Sequence, residues 1–264
     1  MDSAKVCYAF LIMYPLRYLP TGHVFIDPAD DCDKVVDALL KTDYSEEFCL
    51  GRDFDEDFIS RLMEAGFLVM STELADNDPS DNEPPAGDTP DMDPADRERF
   101  FILLPKLHLV RSALFFQDLH IKRSIRPFLP RYELRVDTDF DLILDKCVEI
   151  HGSAWLTPPL VEIIKGLRKR NELRIKPVSF AVYRDGEIKA GEAGIVVGRV
   201  YTSYSGWYTE DNAGTVQIIK MAQWLRETGF SFLDLGMPLD YKTDLGALDI
   251  TPRHFVDLFR AARY

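Results

Sequence analysis

Residues 178–206 read VSFAVYRDGEIKAGEAGIVVGRVYTSYSG. Apolar and small or polar side chains alternate through 178–183, again through 188–197 and a third time through 199–205. That period of two puts successive side chains on opposite faces of a strand. Asp185-Gly186, between the first two runs, is a hairpin signal, because the favoured two-residue turn needs positive φ at its centre. Downstream, residues 213–228 carry a helix ended by Gly229. Residues 230–236 then form a buried strand with Asp234 at its polar end, and residues 252–262 a last helix. Upstream, residues 139–150 form an amphipathic helix with Phe140, Ile143, Leu144, Cys147 and Val148 inward. Pro158 opens another, continued by Leu160, Ile163, Ile164 and Leu167. Short strands are expected at 101–105, 107–116 and 132–136, and helices at 33–42 and 53–65, the second stopped by Gly66. The order is that of an α+β domain, a central sheet with helices packed on it.

The chain has 264 residues, 46% hydrophobic and 28% charged, the composition of a soluble globular protein with a substantial core. Cys7, Cys32, Cys49 and Cys147 form no Cys-x-x-Cys pair, which excludes a zinc knuckle or dithiol redox motif and fits reduced thiols in the cytoplasm. The histidines show no metal-ligand spacing, and neither metal nor cofactor is expected. The apolar run 6–16 is too short for a bilayer and lacks a cleavage site, so it reads as a buried strand and no membrane partner is expected. The net charge of −13 opposes a nucleic-acid partner, but residues 73–96 hold nine acidic residues and no basic one. That segment, rich in Pro, Asn and Gly, reads as a disordered acidic insertion.

Several segments, in order, resemble the leucyl/phenylalanyl-tRNA–protein transferase family. Leu119-His-Ile-Lys-Arg-Ser-Ile-Arg is similar to the family's Phe-His-x-x-Arg-Ser-Leu-Arg, and Ala154-Trp-Leu-Thr-Pro to its Thr-Trp-Ile-x-Pro. Phe48-Cys-Leu-Gly-Arg-Asp-Phe resembles its N-terminal Leu-x-x-Gly-Gly-Asp-Leu. Phe230-Ser-Phe-Leu-Asp, followed by Leu245-Gly-Ala-Leu-Asp-Ile-Thr-Pro-Arg-His-Phe, resembles its C-terminal segment. The resemblance covers roughly residues 48–260. It implies a small N-terminal α/β domain (1–72 and 99–136, interrupted by an insertion at 73–98) and a C-terminal acetyltransferase-like, GNAT-type domain with a central mixed sheet (137–264). It also implies an aminoacyl-tRNA donor, an acceptor protein with a free N-terminal amine and a product marked for degradation. A monomer is expected.

The implied reaction is aminolysis of an ester: an amine attacks the carbonyl joining the amino acid to the tRNA's terminal ribose. A positioned carboxylate can take the amine's proton. The resemblance assigns that carboxylate to Asp234. It aligns the family's Gly-Glu-Ser-Met-Phe-Ser strand with residues 203–208, so that Tyr204 stands where the family has Glu, and Gly236 where it has Gln. Tyr204 could supply a hydroxyl. The donor and adenine pocket falls to Trp155, Ser205 and Trp207. Lys165, Arg168, Lys169, Arg170 and Arg174, with Asn212 and Thr215 at a helix start, are the candidates for tRNA phosphates. The alternatives are a non-catalytic relative that binds tRNA or protein termini, and an acyl-CoA-dependent acetyltransferase. The absence of a pyrophosphate-loop signature opposes the last.

Overall fold

The computed structural model describes residues 14–42, 44–74 and 99–264. Most of the strand expected at 6–16 and most of the acidic segment lie outside these residues; the described 14–16 are not in a strand. The elements run β1 (Arg17–Tyr18), β2 (Val24–Phe25), α1 (Cys32–Leu39), β3 (Cys49–Leu50), α2 (Glu56–Glu64), β4 (Leu68–Leu74), β5 (Phe100–Lys106), β6 (Arg111–Leu114), β7 (Glu133–Val136), α3 (Phe140–His151) and α4 (Pro158–Leu167). They continue with β8 (Ile175–Arg184), β9 (Glu187–Val197), β10 (Val200–Tyr208), α5 (Ala213–Glu227), β11 (Phe232–Asp234), α6 (Asp240–Asp244), β12 (Leu248–Ile250) and α7 (Pro252–Ala262).

A seven-stranded mixed sheet in the order β12-β6-β11-β10-β9-β8-β7 forms the centre. Its pairs are antiparallel except β10 with β11, which α5 connects. Alternation along the strands separates two apolar faces. Ala181, Tyr183, Ala193, Ile195, Val197 and Val200 share a core with α2, α3, α4 and α7. Val178, Phe180, Tyr201, Leu233 and Leu235 pack with Met221, Ala222 and Leu225 of α5. Two smaller sheets, β1-β2-β3 and β4-β5, complete the fold. This is the mixed α+β architecture expected from the order of elements.

Local chemistry sets the helix starts. Asp31 accepts a hydrogen bond from the Lys34 amide and caps α1. Asp55 does the same with Phe58 at 2.8 Å, so α2 begins at Glu56 and not at 53. Thr251 caps α7 and Pro252 occupies its first turn. The strand expected over 107–116 shrinks to 111–114, because the Leu107 amide bonds Glu47 and Phe116–Asp118 form a 3-10 turn. β4, β12 and α6 were not anticipated. β4 pairs with β5 along its whole length.

A buried ion pair joins the elements. Arg111 of β6 donates from Nε to Asp234 Oδ1 at 2.9 Å and from Nη2 to Oδ2 at 2.5 Å. Its Nη1 donates to the Gly66 carbonyl after α2, and the guanidinium stacks 3.9 Å from the centre of the Phe255 ring of α7. Thr202 Oγ1 of β10 and the Gly236 amide also donate to the Asp234 carboxylate. Gly66 sits at φ 99°, a conformation that an L side chain rarely adopts, and α7 packs beside it through Phe255 and Phe259.

Burial pushes the Asp234 carboxyl up, but the Arg111 charge and its hydrogen bonds outweigh that and hold it below the usual carboxylate range. Its stabilisation is therefore complete above the unfolded value, about 3.9, and is lost as pH falls through the folded one. Arg111→Leu is expected to cost about 3–5 kcal/mol in urea unfolding, because it strands a buried carboxylate. The pH dependence should also reverse: Asp234, alone, is raised, so the variant gains stability as pH drops toward the unfolded value. A variant as stable as wild type would remove the pair from the centre of the fold.

Candidate functional site

The central strands open where their register changes. β9 and β10 pair regularly up to Ser203 opposite Gly194, and then Tyr204 and Ser205 together face Ala193. This bulge re-aims the rest of β10, bringing Gly206 opposite Glu192 and Trp207 opposite Gly191. No side chain from position 206 covers Glu192. A Cβ there would come within 3.5 Å of the Glu192 stem. The result is a cleft of about 420 Å³ between β9, β10 and the start of α5. Glu192, Ser203, Asn212, Thr215 and Gln217 supply its polar lining, and Trp207, Ile218, Leu235 and Tyr241 its apolar lining.

Glu192 is the chemical feature of this cleft. It is 4% exposed, and its Oε1 has no hydrogen-bond partner among the described residues. The Tyr201 hydroxyl likewise has none. Burial pushes the carboxyl up to about 7, although Ser203, Gln217, Tyr201 and the Lys242 charge draw it back. Lys242 is itself buried and its ammonium is held below the usual range by desolvation. It donates to the Leu235 and Met237 carbonyls at 2.6 and 2.7 Å, clipping the loop after β11 beside the cleft.

Asn212 begins α5 at φ 68° and makes no side-chain cap bond. The first-turn amides of α5 at Gly214 and Thr215 thus stand at the cleft without a side-chain cap, the arrangement that favours anions. Tyr208 (64% exposed) and Tyr241 (49%) flank the opening.

The residues expected from sequence divide between the two faces of the sheet. Trp207, Asn212 and Thr215 line the cleft. Trp207 does so only at the edge of β10: its indole lies on the opposite, α3 face, where it donates its N–H to the Ile143 carbonyl at 3.3 Å. Asp234 has no exposure and points to the opposite face, into the Arg111 pair. Tyr204 turns the same way: its hydroxyl accepts the Val69 amide at 3.0 Å, and burial pushes that hydroxyl up. Ser205 is buried, with its carbonyl accepting from Cys147 Sγ. Trp155 packs against the core of that face, and its carbonyl accepts the Ser71 amide.

Most of the basic run forms ion pairs. Lys165 pairs with Asp145, Arg168 with Asp137, Arg170 with Asp57 and Glu172, and Arg174 with Glu64, while Lys169 is exposed. Sequence reasoning missed Glu192. The available signal was a carboxylate inside the apolar run 188–197, in register with Ala190 and Val196 on the α5 face. Among the described residues, no group of three His, Cys, Asp or Glu is placed to hold a metal, and no helix is long and apolar enough to cross a membrane.

Residues 113–260 match the family model described as leucyl/phenylalanyl-tRNA protein transferase, and every residue lining the cleft lies inside that span. The leucyl/phenylalanyl-tRNA–protein transferase of Pseudomonas putida (strain W619) is 31% identical over 152 residues, and that of Pseudomonas fluorescens (strain Pf0-1) 30%. Both matches cover 56% of this chain and 66% of the relative, slightly under two thirds. Among solved structures, that of L-PGS from Bacillus licheniformis shows a distant likeness, with TM-score 0.40 and 11% identity over 94% of this chain and 89% of that one.

An unpaired buried carboxyl weakens the fold, which gives a direct check on Glu192. Its folded value, about 7, lies above the unfolded 4.3, so stability is lost as pH rises through that window. Glu192→Gln is therefore expected to be more stable than wild type at pH 8, by on the order of 3 kcal/mol in urea unfolding, with the gap closing toward pH 4. Equal stability at pH 8 would mean that the carboxyl is paired in solution.

Proposed function

Because this chain belongs to the leucyl/phenylalanyl-tRNA protein transferase family, we propose that it moves an amino acid of the leucine or phenylalanine kind from aminoacyl-tRNA to the N-terminal amine of an acceptor protein. The observation that carries the reading is the coincidence of the matched span with the cleft: both centre on β9, β10 and α5. Ile218 and Leu235 offer an apolar wall for the transferred side chain. The α5 amides suit the terminal phosphates of a tRNA end. Tyr208 and Tyr241 at the rim offer faces on which a terminal base stacks, a contact worth about 1–3 kcal/mol.

The reaction needs no redox partner. Amine nitrogen replaces ribose oxygen on the carbonyl carbon, and one proton moves from the amine to the leaving oxygen. Holding donor and acceptor in one cleft supplies much of the acceleration, because the encounter becomes effectively intramolecular. In this reading the domain spanning 137–264 is acetyltransferase-like, the enzyme works in the cytoplasm, and its product enters N-terminus-dependent degradation. Asp234 acts by holding the end of β11, and so Leu235, against the cleft.

A second reading is a non-catalytic relative that binds charged tRNA. The closed Arg111–Asp234 pair favours it, since that carboxylate has no exposed lone pair to receive a proton.

The deciding experiment is transfer of labelled Leu, Phe, Met and Arg from charged tRNA to peptides that begin with Arg, Lys, Asp, Glu or Ala. Wild type is expected to transfer at least one of them. Gly206→Val, whose side chain rises over Glu192 into the cleft, should transfer at least 100-fold more slowly while unfolding at the wild-type urea concentration. Folded wild type that binds charged tRNA yet transfers nothing establishes the second reading.

A further inference from the structure

We infer that Glu192 is the site at which the acceptor's primary amine docks, and that its free Oε1 takes the proton the amine must lose. This deepens the transferase reading and rests on it for the chemical step. Four observations converge on Glu192. The carboxyl is 4% exposed, and Oε1 lacks a partner among the described residues, so it has an open lone pair. The Tyr204–Ser205 bulge sets side-chain-less Gly206 opposite it, and Glu192 lines the cleft. The neighbouring Ser203 and Gln217 line the same cleft. The apolar wall, Ile218 and Leu235, carries no charge for a ligand cation.

A buried acceptor-only group with an open lone pair, facing a small cleft, selects a compact cation donor. A primary ammonium fits that description. It is also the one cation that the proposed reaction requires beside an ester carbonyl. Asp211, which also lines the cleft, is exposed, whereas Glu192 is buried.

The step balances without further reagents. The docked ammonium first releases one proton to solvent; the neutral amine's nitrogen then attacks the ester carbonyl carbon and gives a second proton to Glu192. The new C–N bond forms, the C–O bond to the ribose breaks, and the ribose oxygen recovers the proton from Glu192. A base near pH 7 suits both halves, since it must accept and then return the same proton. The titratable groups facing Glu192 are Tyr201 on β10, Cys147 and His151 on α3, and Tyr241 and Lys242 on α6. Lys242 is the positive charge among those named in its surroundings, and it keeps the carboxyl from rising further.

Two measurements test this separately from transferase activity. The first is calorimetric binding of peptides beginning with Arg, Lys, Asp, Glu or Ala, each with a free and an acetylated N-terminus, to wild type and Glu192→Gln. Wild type should bind at least one free-amine peptide tenfold or more tightly than its acetylated form, best between about pH 7 and the α-amine value near 8. Glu192→Gln should lose that preference. Indifference of wild type to acetylation, no binding of any peptide, or an unchanged preference in Glu192→Gln overturns the assignment, whatever the transfer assay shows.

The second is the pH profile of single-turnover transfer. Wild type should rise through about pH 7, and Glu192→Gln should be about 10²–10⁴-fold slower with that rise gone. An unchanged rate and profile overturns the base role. Amine binding that depends on Glu192, with no transfer from any charged tRNA, sustains the docking site and removes the transferase reading instead.

Discussion

The guanidinium of Arg111 is taken out of water, and its surroundings answer three of its five N–H donors. Asp234 receives two of its N–H groups, the Gly66 carbonyl a third, and the Phe255 ring covers one face. Because an arginine cannot discharge itself when buried, each of these partners has to be in place at once. The contacts come from β6, β11, the turn after α2 and α7, with Thr202 of β10 joined through the carboxylate. One ion pair thus ties the far edge of the central sheet to both N-terminal and C-terminal helices. α7 is held from its other side by Arg260 and Arg263, which pair with Asp33 and Asp37 of α1.

That commitment decides which face of the sheet is free for chemistry. Asp234 and Leu235 are consecutive, so their side chains point opposite ways. Locking the carboxylate into the Arg111 face turns Leu235 toward the cleft. On the neighbouring strands the same alternation puts Glu192 on the cleft side, in register with Ala190 and Val196. The bulge at Tyr204–Ser205 then breaks the alternation once. Without it, Trp207 would exchange faces with Gly206, and the space over Glu192 would hold an indole. Tyr204 stays on the face opposite Ser203 and accepts the Val69 amide, while the residues after the bulge are re-aimed.

The sequence pattern revealed the central strands and most helices, because strict alternation and helical spacing act over a few residues and survive without knowledge of partners. It did not reveal β4 or β12. β4 directly precedes the acidic segment in sequence and is held by pairing with distant β5, while β12 is only three residues long and exists through β6. The site was legible in part. Trp207, Asn212 and Thr215 sit near one another because they fall at the end of β10 and the start of α5, a local relation. Which of Asp234, Tyr204 and Glu192 faces the cleft was not legible. That depends on the register of β9 against β10 and on one extra residue in the latter, both tertiary facts. Nor could spacing show that Arg111, 123 residues before Asp234, would claim its carboxylate.

The two buried carboxyls of the sheet now read as opposites set by their neighbours. Asp234 accepts four hydrogen bonds and a full positive charge, so it is held ionised and inert. Glu192 suffers comparable burial with an oxygen left open, so it stands near neutral pH and is ready to change state. Lys242 belongs to both environments. Its ammonium is bound to the Leu235 and Met237 carbonyls, which fixes its position, and its field reaches Glu192 without a hydrogen bond. A direct Lys242–Glu192 bond would have depressed the carboxyl as Arg111 depresses Asp234 and closed its lone pair. The Ser203, Gln217 and Tyr201 side chains draw the carboxyl back more than the Lys242 charge does, and Lys242, which Glu192 does not bond, adds a smaller effect from α6.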